Sequence, residues 1–280
     1  MGHRAIVVDP LNCFLVCGNR SPSIYHKSGH KRLDHVDLVL PRIGASITEY
    51  GLAVVRQFSL MGIPVINNSV PIARSRDKLR SLQLLALHGI DIPRTVMARS
   101  PAQIERALQA VGGPPVVIKL IQGTQGVGVM LAETLPALEA ILDTLWGLGQ
   151  NILIQEFVAE SKGRDVRVLV VGGQVVAAMR RTARVGEFRS NIHRGGAGKS
   201  IRLEPEYEKV AVKATEVMGL QVAGVDLLES KEGPRVIEIN SSPGFEGLEA
   251  ATGRNIAMEI LSYALAYAES RKAARQEASK

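Results

Sequence analysis

Glu238 and Asn240 stand two apart in Val236-Ile237-Glu238-Ile239-Asn240, so an extended strand places them on one face, opposite Ile237 and Ile239. Asp226 lies on the preceding predicted strand, across the hairpin-length turn Lys231-Glu232-Gly233-Pro234, and can sit beside them. Two carboxylates and an amide oxygen suit a hard cation, with nucleotide phosphates filling its other positions. The same alternation fits a solvated face on an edge strand, so the reading needs a phosphate-binding segment elsewhere. Lys119 supplies a candidate. It closes the apolar run Val116-Val117-Ile118 and precedes a glycine-rich loop that joins it to a second run at residues 127–131. Such a hairpin loop can fold backbone N–H groups over phosphates while the lysine adds a point charge, although a plain glycine turn reads the same way.

Gln155-Glu156-Phe157-Val158 ends another apolar run, and Asp165 follows seven residues after Val158. Backbone groups there could read an adenine edge while the carboxylate takes ribose hydroxyls. Arg189-Ser190-Asn191, with Arg181 eight residues before Arg189, could hold phosphoryl oxygens, because planar guanidinium donors suit phosphate. Two familiar phosphate fingerprints are absent. The run Gly198-Lys199-Ser200 lacks the Walker glycine, whose place is taken by His193, and Gly123, Gly126 and Gly128 have the reversed Rossmann spacing.

The elements that must hold these residues fall into two styles. Residues 5–8, 36–40 and 64–66 read as short strands around a helix at 48–61, the alternation of a parallel sheet covered by helices. A helix is expected at 75–88, with Ser75 as its cap and Gly89 as its stop. Beyond it the pattern becomes antiparallel: runs at 116–121 and 127–131, a helix at 137–146, a strand at 152–158, and runs at 166–171 and 174–179 flanking the turn Gly172-Gly173. A helix at 205–218, strands at 225–228 and 236–239, and a last helix from 255 to about 271 complete the series, ending in a frayed basic tail.

The 280 residues are 46% hydrophobic and 22% charged, an ordinary globular composition, with no apolar run near the ~20 residues that span a bilayer. The start lacks a signal-peptide core and, with Ile6, an N-myristoylation pattern; Cys13 and Cys17 read as reduced thiols, so a cytoplasmic protein is expected. The net charge of +7 is concentrated between Ser161 and Lys199, where nine basic residues face only Asp165 and Glu187. That concentration points to a local anionic ligand. Aromatics are only 4% of the chain, so a base-stacking platform for nucleic acid is poorly supported.

Arg76-Asp77-Lys78, Val117-Ile118-Lys119, Gly123-Thr124-Gln125-Gly126-Val127-Gly128, Gln155-Glu156-Phe157, Phe188-Arg189-Ser190-Asn191, Gly224-Val225-Asp226 and Glu238-Ile239-Asn240-Ser241-Ser242-Pro243-Gly244, in that order, resemble the ATP-grasp superfamily. More narrowly, with Pro41-Arg42-Ile43-Gly44, the chain resembles the RimK-type glutamate ligases that modify small-subunit ribosomal protein six. The resemblance implies a mixed α/β and α+β fold. It places a parallel pre-ATP-grasp domain at 1–79, lacking its first β–α unit, a central subdomain at 80–154, a metal-bearing subdomain at 155–268 and a basic tail at 269–280. It further implies ATP contacts from Lys78, Lys119, Gly126, Gln155, Glu156, Phe157, Val158, Asp165, Arg189, Ser190 and Asn191. Two magnesium or manganese ions would lie on Asp226, Glu238 and Asn240, with Arg181 stabilising the transferred phosphoryl group. The implied reaction joins glutamate to the acidic tail of ribosomal protein six, and family precedent suggests a homo-oligomer such as a tetramer. Ligation to a carrier protein or cofactor, and a non-catalytic nucleic-acid-binding protein, are the alternatives.

Overall fold

The structure is a computed structural model that describes residues 2–18, 22–27, 31–121, 128–190 and 195–278. The first unit carries β1 (Cys13–Val16), β2 (Ser23–His26), β3 (Lys31–Arg32), α1 (Thr48–Leu60), α2 (Ser69–Arg76) and α3 (Lys78–Leu87). Its three strands form an antiparallel sheet in the order β1-β2-β3, packed on α1 through Ile24, Val54, Val55 and Phe58. Among the described residues, the parallel pairing expected here is reduced to one bridge, Val39 to Val65. Residues 5–8 form no strand: Val7 is 96% exposed, so nothing lies beside it to complete a ladder.

The expected helix at 75–88 is instead two helices meeting at Asp77. That residue is extended (φ −83°, ψ 102°), closes α2, and caps α3 by accepting a hydrogen bond from the Arg80 N–H at 3.0 Å. Ser75 is no cap; its hydroxyl donates to the Ile72 carbonyl inside α2.

The middle unit contains β4 (Thr95–Ala98), α4 (Ile104–Val111), β5 (Val116–Leu120), β6 (Val129–Ala132), α5 (Leu135–Gly147) and β7 (Ile152–Glu156). Its sheet is antiparallel throughout, in the order β4-β7-β5-β6. Val116, Ile118, Ile152 and Ile154 bury one face against Leu138 and Leu142 of α5. Alternation then turns Val117, Lys119, Leu153 and Gln155 to the other face.

The last unit contains β8 (Arg164–Val171), β9 (Gln174–Thr182), β10 (Ala197–Ser200), α6 (Pro205–Met218), β11 (Val222–Ser230), β12 (Gly233–Asn240), α7 (Glu246–Thr252) and α8 (Ile256–Ala278). The sheet runs β10-β9-β8-β11-β12, every pair antiparallel. Gly172 and Gly173 (φ +59° and +78°) make the two-residue turn that the sequence indicates. Val166, Val168 and Val170 pack under α6, while Leu169 and Val171 pack against α7 and α8, so β8 is buried on both faces along that stretch. α8 continues as helix through Ala278, past the end expected near Arg271. None of the described helices is long and apolar enough to cross a membrane.

Candidate functional site

The polar face of the middle sheet and the near end of the last sheet enclose one cleft. It is lined by Lys119 and Val129 on one wall, by Asp165, Arg181, Asp226 and Glu238 on the other, and by Lys78 of α3 at its edge. Twelve residues singled out from sequence line it: Lys78, Lys119, Gln155, Glu156, Phe157, Val158, Asp165, Arg181, Arg189, Ser190, Asp226 and Glu238. Gly126 and Asn191 lie outside the described residues. Asn240 ends β12 beyond the cleft lining, its Oδ1 accepting from the Ser242 N–H at 2.9 Å.

Strand register assembles the acidic wall. Arg167 on β8 lies opposite Asp226 on β11, which lies opposite Glu238 on β12. Two residues back along β8, Asp165 faces Arg181 on β9. Arg167 grips Asp226 with both ends of its guanidinium at 2.7 Å, and Arg181 does the same to Asp165 at 2.7 and 2.5 Å. Arg181 also reaches Asp226 at 2.9 Å and is only 3% exposed. The network pairs two guanidiniums with two carboxylates, which is how buried charges are tolerated. Burial alone would raise the Asp226 pKa, but Arg167 and Arg181 pull it down to about 2. Burial works against the Arg181 charge, and Asp226 and Asp165 more than restore it.

Arg167 was not among the residues singled out from sequence. Its place at i+2 from Asp165 on one strand was the available signal, since both must point to one face.

The opposite wall is cationic. Lys119 is held by burial at a pKa of about 8, well below its ordinary 10.5, with Glu238 opposing that shift and Lys78 adding to it. Lys78 donates to the Leu120 carbonyl at 2.8 Å. Gly128 (φ +73°) closes the loop against Leu120, where a Cβ would stand 2.8 Å from the leucine side chain. Arg189 is held by Glu187 at 2.7 Å, and Ser190 hydrogen-bonds to Asp165.

Gln155 is buried with its amide on Thr95 at 2.8 Å. The Glu156 carboxylate turns to Arg94 at 3.1 Å and Arg235 at 3.0 Å, tying β7 to β12 across the two sheets. Burial would raise its pKa, and the hydrogen bonds from Arg94 and Arg235 bring it below the ordinary value.

Asp226 and Glu238 stand side by side across the β11–β12 ladder, and among the described residues no hydrogen bond or ion pair engages the Glu238 carboxylate. Among the described residues no three His, Cys, Asp or Glu side chains converge. Both Asp226 oxygens are held by Arg167 and Arg181 and the Asn240 amide oxygen lies beyond the lining, so a cation here would start from the Glu238 carboxylate and would need phosphate oxygens to complete its shell. That donor set fits a hard divalent ion bound together with a nucleotide.

Two family models match the chain: the RimK PreATP-grasp domain over residues 1–72 and the RimK-like ATP-grasp domain over residues 75–264. A protein of Syntrophotalea carbinolica named probable alpha-L-glutamate ligase is 53% identical over 262 residues, covering 94% of this chain and 86% of that protein. Among solved structures, the ATP-grasp ligase PsnB complexed with minimal precursor, Mg and ADP matches with a TM-score of 0.73 at 22% identity, covering 96% and 90% of the two chains. The RimK domain protein ATP-grasp from Sphaerobacter thermophilus matches with a TM-score of 0.69 at 24% identity, covering 94% and 90%. The two antiparallel sheets around the cleft are thus those of an ATP-grasp fold.

Proposed function

The chain belongs to the RimK family of ATP-grasp ligases, and from that premise we propose that it adds glutamate to the acidic C-terminal tail of small-subunit ribosomal protein six. The observation that carries the reading is the pairing of walls: half-buried cationic Lys119 on one sheet, within the electrostatic reach of Asp226 and Glu238 on the other. Relatives at 53% and 52% identity named as probable alpha-L-glutamate ligases support glutamate as the amino acid.

A carboxylate is a poor acyl donor, so ATP supplies a phosphoryl group to activate it. The tail carboxylate oxygen attacks the γ-phosphorus and ADP leaves. The glutamate amine then attacks the acyl carbon, sheds a proton, and phosphate leaves. Lys119 and Lys78 would hold phosphate oxygens, and Gln155 to Val158 would hold the adenine at the strand end. Asp165 would orient the ribose while keeping Arg181 aimed at the transferred group, and Arg189, Ser190 and Asn191 would follow the phosphates. Asp226, Glu238 and Asn240 would hold two magnesium or manganese ions that neutralise phosphate charge. Positioning and charge neutralisation carry such chemistry, with no nucleophilic side chain required.

The basic stretch from Ser161 to Lys199 would receive the polyanionic tail. The reading places the protein in the cytoplasm as a homo-oligomer, a tetramer by the family pattern, to be checked by light scattering. ADP release that requires both glutamate and ribosomal protein six is expected. Release that needs glutamate but ignores that acceptor would contradict the choice of substrate.

A further inference from the structure

The segment after Asn240 is pinned by the first unit of the fold. Arg42 donates to the Pro243 carbonyl at 2.8 Å and lies over the Phe245 ring at 5.5 Å. Asn67 donates to the carbonyls of Ser241 at 2.9 Å and Val222 at 2.7 Å, and its Oδ1 accepts from the N–H groups of Gln221 and Val222. Arg76 donates to the carbonyl of Ile43, the neighbour of Arg42, and Glu238 favours its charge against the burial that opposes it. Arg42 and the chain from Pro243 to Phe245 thus form a seam between the first and last units, with Arg76 tied to it through Ile43.

That seam contains unspent hydrogen-bonding capacity. Among the described residues, five buried side-chain polar atoms lack partners, and three of them are here: Arg76 Nε, Ser241 Oγ and Ser242 Oγ. A buried donor without an acceptor is costly, and such groups persist where a ligand satisfies them. The two serines are not equivalent. Ser242 is bound through its N–H to the Asn240 side chain, on the Glu238 side of the strand. Ser241, one residue earlier, gives its carbonyl to Asn67.

We propose that Arg76 and the Ser242 hydroxyl, with Arg42 beside them, form the subsite that holds a carboxylate of the incoming amino acid. Glutamate carries two carboxylates besides its reacting amine, so a site with two guanidiniums and a hydroxyl matches its charge. Planar N–H donors of the Nε and Nη type take a carboxylate in paired hydrogen bonds. Placed beside Glu238, the site would present the amine towards the reaction centre while keeping the carboxylates out of it. The inference rests on the glutamate-ligase reading above and names where that substrate sits.

The test is steady-state kinetics of ADP release with glutamate and ATP varied separately, together with thermal melts of each variant. Arg76→Lys, which keeps the charge but loses the paired geometry, is expected to raise KM for glutamate at least tenfold and KM for ATP less than twofold. Ser242→Ala is expected to raise KM for glutamate severalfold while its melting temperature holds or rises, because an unpartnered hydroxyl is removed. Ser241→Ala serves as the control and should leave KM for glutamate unchanged. Normal glutamate KM in both Arg76→Lys and Ser242→Ala, with an active parent enzyme, would overturn the subsite alone. An equal rise of both KM values in Arg76→Lys would also overturn it, since that pattern marks general damage. A parent enzyme that releases no glutamate-dependent ADP would overturn the ligase reading and the subsite with it.

Discussion

At Lys119, burial disfavours the ammonium while Glu238 favours it, and burial wins down to a pKa of about 8. The lysine is therefore charged at neutral pH and loses its charge as pH rises through 8, removing an attraction for phosphate. The expected outcome is an alkaline limb near pH 8 in kcat/KM for ATP, displaced to higher pH in Lys119→Arg, whose guanidinium stays charged. An unmoved limb in that variant would assign the titration elsewhere. Arg167 makes a different kind of contribution, since it neutralises Asp226 where water is excluded. Arg167→Gln leaves a buried carboxylate with one partner fewer, and chemical denaturation should show a loss of about 3 kcal/mol. A loss below about 1 kcal/mol would mean that Arg181 alone balances Asp226.

Among the elements, those with strong period or turn chemistry were legible and those set by neighbours were not. The helix at 205–218 was readable because Pro205 opens it and Gly219 (φ +75°) closes it. The β8–β9 hairpin was readable from Gly172-Gly173, and Glu238 does face Asp226 across the β11–β12 ladder, while Asn240 ends that strand beyond the cleft lining. The break at Asp77 was missed, because the flanking residues keep a helical apolar pattern across it and only the capping geometry reveals the corner. Asp77→Ala removes a side-chain cap and should cost about 1 kcal/mol, read as a lower denaturation midpoint; no change would mean that packing alone sets the corner. The short strands of the first unit also failed, since a strand needs a partner that its own residues cannot reveal. The Arg167–Asp226 and Arg181–Asp165 grips were equally invisible, because they depend on the order of strands in the sheet.

Across the whole molecule, the first unit anchors the β11–β12 hairpin of the last, and most directly through Asn67. Its side chain satisfies two carbonyls and two N–H groups of segments more than 150 residues away in sequence. Asn67→Ala strands those buried groups and should destabilise the protein by about 3 kcal/mol in urea or guanidinium. A loss below about 1 kcal/mol would show that the units are held together elsewhere. The charge distribution also belongs to this scale, with the whole excess of +7 lying between Ser161 and Lys199. Neutralising Arg184 and Lys199 together should raise KM for an acidic protein substrate and flatten its salt dependence while sparing ATP binding. Equal losses for both substrates would remove the basic stretch from acceptor recognition. The most direct test of the account is intact-mass spectrometry of ribosomal protein six after incubation with this protein, MgATP and glutamate. A ladder of added glutamate masses, absent with Glu238→Gln, is the predicted result; an unmodified mass with fully folded enzyme would contradict it.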